Sequence, residues 1–372
     1  MSLYLLSFVL ALTAALVATP VARRAAIRLD IVDHPSARKV HVSPVPYLGG
    51  VAIYLAFAAI LLLDRDSLLH SSGVAKATSQ LFAIVIGASL MALLGLLDDR
   101  FGLPPLLKLA VQLLGALILV LAQVTVQLNH FQWLEAPLTI LWVVGITNAF
   151  NLMDNMDGLA VGTAGIAACF FFLHAIMAIT TQTLVASLAA ALAGACFGFL
   201  FYNWSPAKIF MGDAGSLFLG YLLAALALKL TLAPITPQVS QIARALGYPV
   251  GSGTHAIALL APIFVLGLPI FDTTLVTLSR LRRGVPISQG GRDHTSHRLV
   301  AAGMSHREAV MTLYLAGCAL GGVSIVLTHA TITEGALVSL LALILAGALF
   351  VRLERLYYAH SQPQPQPAEP TS

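Results

Sequence analysis

Long apolar runs, separated by short polar segments, make up most of the chain. A run of about 20 apolar residues is the length that an α-helix needs to cross roughly 30 Å of hydrocarbon. Eleven such runs predict an all-α integral membrane protein with about 11 transmembrane helices. The predicted spans are about 3–20, 48–63, 80–97, 104–122, 137–150, 158–179, 183–202, 214–232, 257–278, 308–328 and 332–351.

The composition points the same way. Hydrophobic residues make up 58% of the 372 residues and charged residues 10%, where a soluble domain is about a quarter charged. The three cysteines lie apart inside apolar runs and indicate neither a disulfide framework nor a zinc motif. We therefore expect one polytopic membrane domain over 1–360. The Pro/Gln-rich tail over 361–372 has no apolar residues to bury and is predicted to be disordered.

The distribution of basic residues predicts the orientation. With the N-terminus outside and the C-terminus in the cytoplasm, sixteen of the 20 Lys and Arg residues fall on the cytoplasmic side. Cytoplasmic loops of membrane proteins collect Lys and Arg. The net charge of +4 therefore indicates topology rather than a nucleic-acid partner.

Polar residues gather on the same side as the basic ones. Dense clusters of Asp, Asn, His and Gly fall in the predicted cytoplasmic segments, whereas the outside segments are short or featureless. The cytoplasmic segments are 30–50, 96–108, 147–159, 202–216 and 279–299. This asymmetry is the main functional signal in the sequence.

Five aspartates stand out in three of these segments. Asp98 and Asp99 end the third span, Asp154 and Asp157 lie at the junction of spans five and six, and Asp213 opens span eight. A charged residue costs about 2.5–3.5 kcal/mol at the centre of a bilayer, so ionisable groups near membrane depth are functional candidates. One such Asp could simply end a span in water, but five in three turns on one face favour a shared site.

Oxygen ligands in modest number suit Mg²⁺, which usually shares its coordination with water and substrate phosphates, and Mn²⁺ is a possible substitute. Cysteine is absent from these segments, which argues against soft metals. Neighbouring basic residues supply positive charge for phosphates; they are Lys39, Lys108, Arg280, Arg282, Arg283, Arg292 and Arg298. Carboxylates, Mg²⁺ and basic groups together are typical of phosphoryl transfer.

Two histidines extend the candidate site. His294 and His297 follow Gly290 and Gly291 in a basic loop, where imidazoles could bind metal or phosphate and glycine N–H groups could bind an anion. Asp272, inside the ninth span, is better explained as a hydrogen-bonded structural residue that faces the bundle.

These segments, in this order, resemble the polyprenyl-phosphate N-acetylhexosamine-1-phosphate transferases, glycosyltransferase family 4, from about Asp33 to Arg298. DDRFGLPPLLK is similar to the family's Asp-Asp motif with a downstream Lys. NAFNLMDNMDGL is similar to its Asn/Asp/Gly signature, MGDAGS to its metal-site turn and HPSARKVHVSPVPYLGG to its first cytoplasmic loop. GRDHTSHRL matches the His motif only in part, because Ser296 stands where the family usually has a second His.

The resemblance implies a reaction and a site. UDP-HexNAc and polyprenyl phosphate would give polyprenyl-pyrophosphoryl-HexNAc and UMP, the first step of a cell-envelope glycan. The implied catalytic residues are Asp98, Asp99, Lys108, His294 and His297. The implied substrate-binding residues are Lys39, His41, Asn148, Asp154, Asp157, Arg282, Arg292 and Arg298. The implied Mg²⁺ ligands are Asp213 and Asn151.

Asp98 or Asp99 could act as a general base. A phosphate monoester is already mostly dianionic at neutral pH, since its second pKa is about 6, so positioning Lys108 or the nucleophile is an equal alternative.

The resemblance is strongest to the UDP-GlcNAc:undecaprenyl-phosphate GlcNAc-1-phosphate transferases. The phospho-MurNAc-pentapeptide translocase branch is the alternative, although it usually carries three consecutive His where this chain has a broken motif. The implied location is the bacterial inner membrane, with the active site facing the cytoplasm and a homodimer allowed.

Two hypotheses from other classes remain. A transporter of anionic substrates should place polar residues at mid-membrane, usually with repeat symmetry. A non-catalytic membrane scaffold would leave the acidic and basic motifs without a reason.

Overall fold

The computed structural model describes residues 2–33, 44–63, 75–128, 131–178, 182–231, 260–287, 291–328 and 330–361. Within these ranges the chain is almost entirely helical, which confirms an all-helical architecture. The helices are α1 (Ser2–Arg28), α2 (Gly49–Leu63), α3 (Ala75–Phe101), α4 (Pro105–Leu121), α5 (Gln132–Met153), α6 (Leu159–Met177), α7 (Thr183–Asn203), α8 (Gly212–Thr231), α9 (Leu260–Val265), α10 (Gly267–Arg283), α11 (Thr295–Ala301), α12 (His306–Leu327) and α13 (Ile332–Ser361).

Eight helices in the described part of the chain are long and apolar enough to cross a bilayer, and they are α1, α3, α5, α6, α7, α8, α12 and α13. α2 and α4 are shorter apolar helices at two more of the predicted spans. These helices support an integral membrane protein. The count of about 11 spans, their orientation and the division at residue 361 stay predictions, and residues 362–372 lie outside the described ranges.

The ninth predicted span is not one continuous helix. The chain breaks at Leu266, between α9 and α10. Pro269 lies just after the break and has no N–H with which to bond the carbonyl of Val265, so a continuous helix would lose a hydrogen bond here.

A short strand pair adds to the helices and was not predicted. β1 (Val32–Asp33) and β2 (Val45–Pro46) are antiparallel, with Val32 opposite Pro46. The N–H of Phe210 donates to the carbonyl of Pro46 at 2.8 Å, which ties β2 to the segment before α8.

α8 is the central helix of the bundle. It packs against α2, α3, α5, α6 and α7. Of the most apolar 18 residues of α8, 83% are buried inside the protein, compared with 6% for α13. Its first turn approaches α3 so closely that a Cβ at Gly95 would overlap the backbone of Asp213. Because only glycine permits this approach, Gly95 fixes the start of α8 beside the polar end of α3.

Candidate active site

Asp99 holds the start of α8. Its two carboxylate oxygens accept hydrogen bonds from the N–H groups of Asp213 at 2.8 Å and Ala214 at 3.1 Å. The first N–H groups of a helix have no partner within the helix, and the helix dipole favours a negative charge there. Asp99 therefore caps α8 from another helix and fixes the backbone that carries Asp213.

Lys108 joins two of the predicted motifs. Its ammonium lies 2.6 Å from Oδ2 of Asp98 and 3.3 Å from Oδ2 of Asp213. The other oxygen of Asp98 accepts the N–H of Leu103 at 2.7 Å and so fixes the turn between α3 and α4. Both carboxylates of the Asp-Asp motif are thus engaged with the protein, and the downstream Lys reaches the Asp of the third motif.

The two asparagines of α5 lie one turn apart and have different partners. The amide nitrogen of Asn151 donates to Oδ1 of Asp213 at 2.9 Å and to the hydroxyl of Ser216 at 3.0 Å. Asn148 donates to Gln112 of α4 at 2.6 Å. Gln112 was missed in the sequence, because nothing in a single apolar helix marks it as a partner. Ser216 was part of the quoted MGDAGS segment but was not singled out.

The turn after α5 carries Asp154 and Asp157. Asp157 accepts the N–H of Ala207 at 3.0 Å, so it holds the segment that leads into α8. Gly158 ends the turn with a φ of 77° and donates its N–H to Asn203 at 3.0 Å. A left-handed backbone favours glycine here, and these contacts lock the turn against α7.

Tyr47 was not singled out in the sequence, although it lies in the YLGG segment. Its hydroxyl hydrogen-bonds Asp33, and burial together with the carboxylates of Asp33, Asp99 and Asp154 raises the pKa of the phenol well above its ordinary value. Tyr47 therefore lies among the site's carboxylates as a neutral hydrogen-bonding group. The predicted Lys39 and His41 fall outside the described residues.

The histidine loop is anchored by Asp272. One carboxylate oxygen of Asp272 lies 2.8 Å from Nδ1 of His294, and the other accepts the N–H of Thr295 at 2.7 Å. These contacts agree with the prediction that Asp272 is a hydrogen-bonded structural residue facing the bundle. His297 lies one turn along, its ring 6.5 Å from that of His294. Burial, with the charge of His294 and nearby cations, lowers the pKa of His297 to about 4, so this imidazole is neutral at pH 7.

A cluster of arginines around Asp293 supports the loop. Arg280 makes two hydrogen bonds to its carboxylate, at 2.7 and 2.9 Å, and Arg283 adds a third at 2.6 Å. Although burial alone would raise it, these partners lower the pKa of Asp293 to about 2. Asp293 was part of the quoted GRDHTSHRL segment but was not singled out.

Two of the predicted substrate-binding arginines make contacts within the protein. The guanidinium of Arg298 is 1% exposed and donates to Glu354 of α13 at 2.9 Å and to Ser279 at 3.0 Å. Arg282 is exposed and stacks over the ring of Phe350 at 5.2 Å. Arg292 lies exposed at the loop edge. The roles predicted for these residues toward substrate stay predictions.

One contact joins the histidine loop to the aspartate turn. The hydroxyl of Ser296, which interrupts the His motif, donates to Oδ1 of Asn155 at 2.6 Å. His294 and His297 are thereby held next to the turn that carries Asp154 and Asp157. The structure thus connects the segments that the sequence predicted to share one site.

The carboxylates fit a hard divalent cation. Burial, followed by the charges of Asp213, Asp99 and Asp157, raises the pKa of Asp154 to about 8, and a bound cation would relieve the part that comes from charge repulsion. Within the described residues no group of three His, Cys, Asp or Glu could enclose a metal. Mg²⁺ usually takes one or two carboxylates and completes its shell with water and phosphate. As a second ligand, Asn151 would have to turn its amide oxygen toward the ion.

Comparison with known proteins adds independent information. The sequence model described as "Glycosyl transferase family 4" matches residues 81–231. This range contains the aspartate motifs of α3, the α5 turn and α8, but not the first loop or the histidine loop.

Several bacterial relatives are similar over most of the chain. A probable undecaprenyl-phosphate N-acetylglucosaminyl 1-phosphate transferase of Bacillus subtilis is 38% identical, covering 88% of this chain and 85% of its own length. A decaprenyl-phosphate N-acetylglucosaminephosphotransferase of Mycolicibacterium smegmatis is 34% identical, covering 82% and 78%. An undecaprenyl-phosphate alpha-N-acetylglucosaminyl 1-phosphate transferase of Salmonella typhi is 25% identical over the same shares. The chain belongs to the polyprenyl-phosphate N-acetylhexosamine-1-phosphate transferases of glycosyl transferase family 4.

Proposed function

We propose that this protein transfers GlcNAc-1-phosphate from UDP-GlcNAc to undecaprenyl phosphate and releases UMP, as the initiating step of a cell-envelope glycan. The observation that carries the proposal is the similarity, over 88% of the chain, to a relative named for this transfer. The site agrees with it, because Lys108 contacts both Asp98 and Asp213, and Ser296, which lies between the two histidines, contacts Asn155 in the aspartate turn.

The reaction exchanges one phosphoanhydride bond for another. An oxygen of the lipid phosphate attacks the β-phosphorus of UDP-GlcNAc and forms the new P–O bond. The bond from that phosphorus to the bridging oxygen breaks, and UMP leaves with the bonding electrons. Since the second pKa of a phosphate monoester is about 6, the nucleophile needs no base to remove its proton at neutral pH.

Asp213 would hold Mg²⁺, with Asn151 as a second ligand after its amide turns. When bound, the ion would neutralise charge on the pyrophosphate of the donor. Asp99 fixes Asp213 by capping α8, and Lys108 lies between Asp98 and Asp213. The engagement of both Asp98 and Asp99 with protein donors supports positioning roles for these two residues rather than a base.

The remaining residues would bind and orient substrate. His297 is neutral at pH 7 and would contribute a hydrogen bond rather than a charge. His294, oriented by Asp272, would reach the same phosphate groups. Lys39, His41, Asn148, Asp154 and Asp157 are proposed to line or hold the donor site, with Arg282, Arg292 and Arg298 supporting the histidine side.

The active site is proposed to face the cytoplasm, since this orientation places most Lys and Arg inside. The proposed membrane is the bacterial inner membrane. A homodimer is compatible with the proposal.

A panel of donors tests the proposal. Purified protein with Mg²⁺ and undecaprenyl phosphate would be given UDP-GlcNAc, UDP-GalNAc or UDP-MurNAc-pentapeptide, and UMP would be measured. We expect UMP with UDP-GlcNAc, and none without lipid phosphate. If UDP-MurNAc-pentapeptide is the one donor of the three that gives UMP, the protein belongs to the translocase branch. If none of the three donors gives UMP, the proposed transfer is contradicted.

A further inference from the structure

The contact between Ser296 and Asn155 connects two segments that lie 141 positions apart in the sequence. Ser296 is 1% exposed, and its hydroxyl lies 2.6 Å from the amide oxygen of Asn155. A buried hydroxyl is costly without a partner, so some hydrogen bond is expected here. The partner is Asn155 of the aspartate turn, so the hydrogen bond of Ser296 joins two parts of the site.

Asn155 and the first turn of α11, which carries Ser296, are each fixed by a further hydrogen bond. The amide nitrogen of Asn155 donates to the carbonyl of Leu152, the last turn of α5, at 2.9 Å. Ser296 lies in the first turn of α11, where Asp272 accepts the N–H of the preceding residue, Thr295, at 2.7 Å. The hydrogen bond between Ser296 and Asn155 therefore joins two segments that are each fixed by other hydrogen bonds.

The residues beside this contact are the candidate reactive groups. Asn155 lies between Asp154 and Asp157, and Ser296 lies between His294 and His297. A change in the separation of Asn155 and Ser296 must change the separation of the imidazoles from the carboxylates. In reactions that depend on positioning, a displacement of about 1 Å can lower the rate roughly 100-fold.

We infer that Ser296 and Asn155 are a positioning pair that sets the distance between the histidine loop and the aspartate turn for phosphosugar transfer. The inference rests on the proposed function and deepens it. It also explains Ser296: this chain uses a hydroxyl to the aspartate turn at the position where an imidazole is usual. Neither residue needs to touch the substrate.

Steady-state kinetics of three variants test the pair: Ser296→Ala, Asn155→Ala and the double variant. If the pair acts as a unit, each single variant lowers kcat about 10- to 100-fold with a smaller change in KM, and the double variant is no worse than the poorer single variant. Ser296→Thr, which keeps the hydroxyl, should recover part of kcat. Multiplying effects in the double variant would overturn the inference.

Ser324→Ala is the matched control. Ser324 is also fully buried, and its hydroxyl makes a 2.8 Å contact between helices, to His174. It should lower Tm about as much as Ser296→Ala while kcat stays within twofold of the wild type. An equal fall of kcat in both Ser→Ala variants would show a general structural effect and contradict a positioning role.

Hydrogen–deuterium exchange of α11 gives a readout that needs no turnover. Ser296→Ala and Asn155→Ala should both speed exchange of the amides of 295–301, and Ser324→Ala should not. Unchanged exchange in both site variants would overturn the inference. If wild-type protein releases no UMP, the proposed function fails, and the exchange result still decides whether the pair couples the two segments.

Discussion

Replacing Asp99 by Asn distinguishes the two roles considered for this residue, which are capping α8 to position Asp213 and acting as a general base. Asp99 accepts one N–H with each oxygen, from Asp213 and Ala214. Asn has a single acceptor oxygen, so one N–H at the start of α8 would instead face an NH₂ group. The shape of the side chain barely changes, so the main effect is to weaken the hydrogen bonding that fixes the backbone of Asp213.

The expected effect follows from the lost bond. A hydrogen bond to a charged group contributes about 1.5–3 kcal/mol, which corresponds to roughly 10- to 100-fold in a binding constant. Residues that orient a metal ligand have effects of about the same size on metal affinity. We therefore expect Asp99→Asn to raise the Mg²⁺ concentration for half-maximal activity by about 10- to 100-fold. Most of kcat should return at saturating Mg²⁺.

The assay is UMP release as a function of Mg²⁺ concentration, from neutral to alkaline pH. Asp30→Asn is the control, because Asp30 is exposed and its left-handed backbone suits Asn. A general base at 99 predicts a different result, a fall in kcat of about 10²–10⁴-fold that Mg²⁺ does not restore. A deficit of that size at saturating Mg²⁺, shrinking as pH rises, would refute the capping argument.

Three further predictions concern stability, measured as Tm in detergent. Gly158→Ala should cost about 1–2 kcal/mol because of its φ of 77°, whereas Gly145→Ala, in open helix surface, should be neutral or stabilising; equal effects would contradict this. The pKa of His297 is lowered from 6.5 to about 4, so protonation favours the unfolded chain. The contribution of His297 to the free energy of unfolding is therefore full above pH 6.5 and falls by about 2 kcal/mol by pH 5. His297→Asn should flatten this decline, and an unchanged decline would contradict the assignment. Arg298→Met should cost about 3–5 kcal/mol by leaving Glu354 unpaired, and adding Glu354→Leu should recover part of it; a further loss would count against the buried pair.

The helices could be predicted well from hydropathy, but their ends could not. The third span was predicted over 80–97, whereas α3 runs from Ala75 to Phe101. Hydropathy detects only the part of a helix that lies in lipid, and a helix continues wherever its backbone can still bond. Asp98 and Asp99 are consequently helical residues at the end of α3, and the helix aims them at α8.

Pairings within the site required the tertiary structure. Five aspartates on one face were predicted to gather, and Lys108 does bridge two of them. That Asp99 caps α8 depends on the close approach at Gly95, which sequence order does not reveal. Gln112 lies in an apolar helix, where a lone polar residue has no periodic pattern to mark it. Ser216 lies in the quoted MGDAGS turn, but the turn alone does not show that Asn151 is its partner.

The basic loop shows how a charge pattern can be incomplete evidence. Its arginines were assigned to phosphates, yet Arg280 and Arg298 are buried with Asp293 and Glu354. A buried guanidinium requires a charged or hydrogen-bonding partner, and Glu354 lies on α13, far along the chain. The one local signal was Asp293 itself, an acidic residue within a basic motif.

The transfer of a phosphosugar to a lipid can be tested by measuring both products of one reaction. Wild-type protein with Mg²⁺, UDP-GlcNAc and undecaprenyl phosphate should form UMP and lipid-linked GlcNAc pyrophosphate in equal amounts, and Asp213→Asn should form neither. UMP without the lipid product would indicate hydrolysis, and neither product from wild-type protein would contradict the transfer itself.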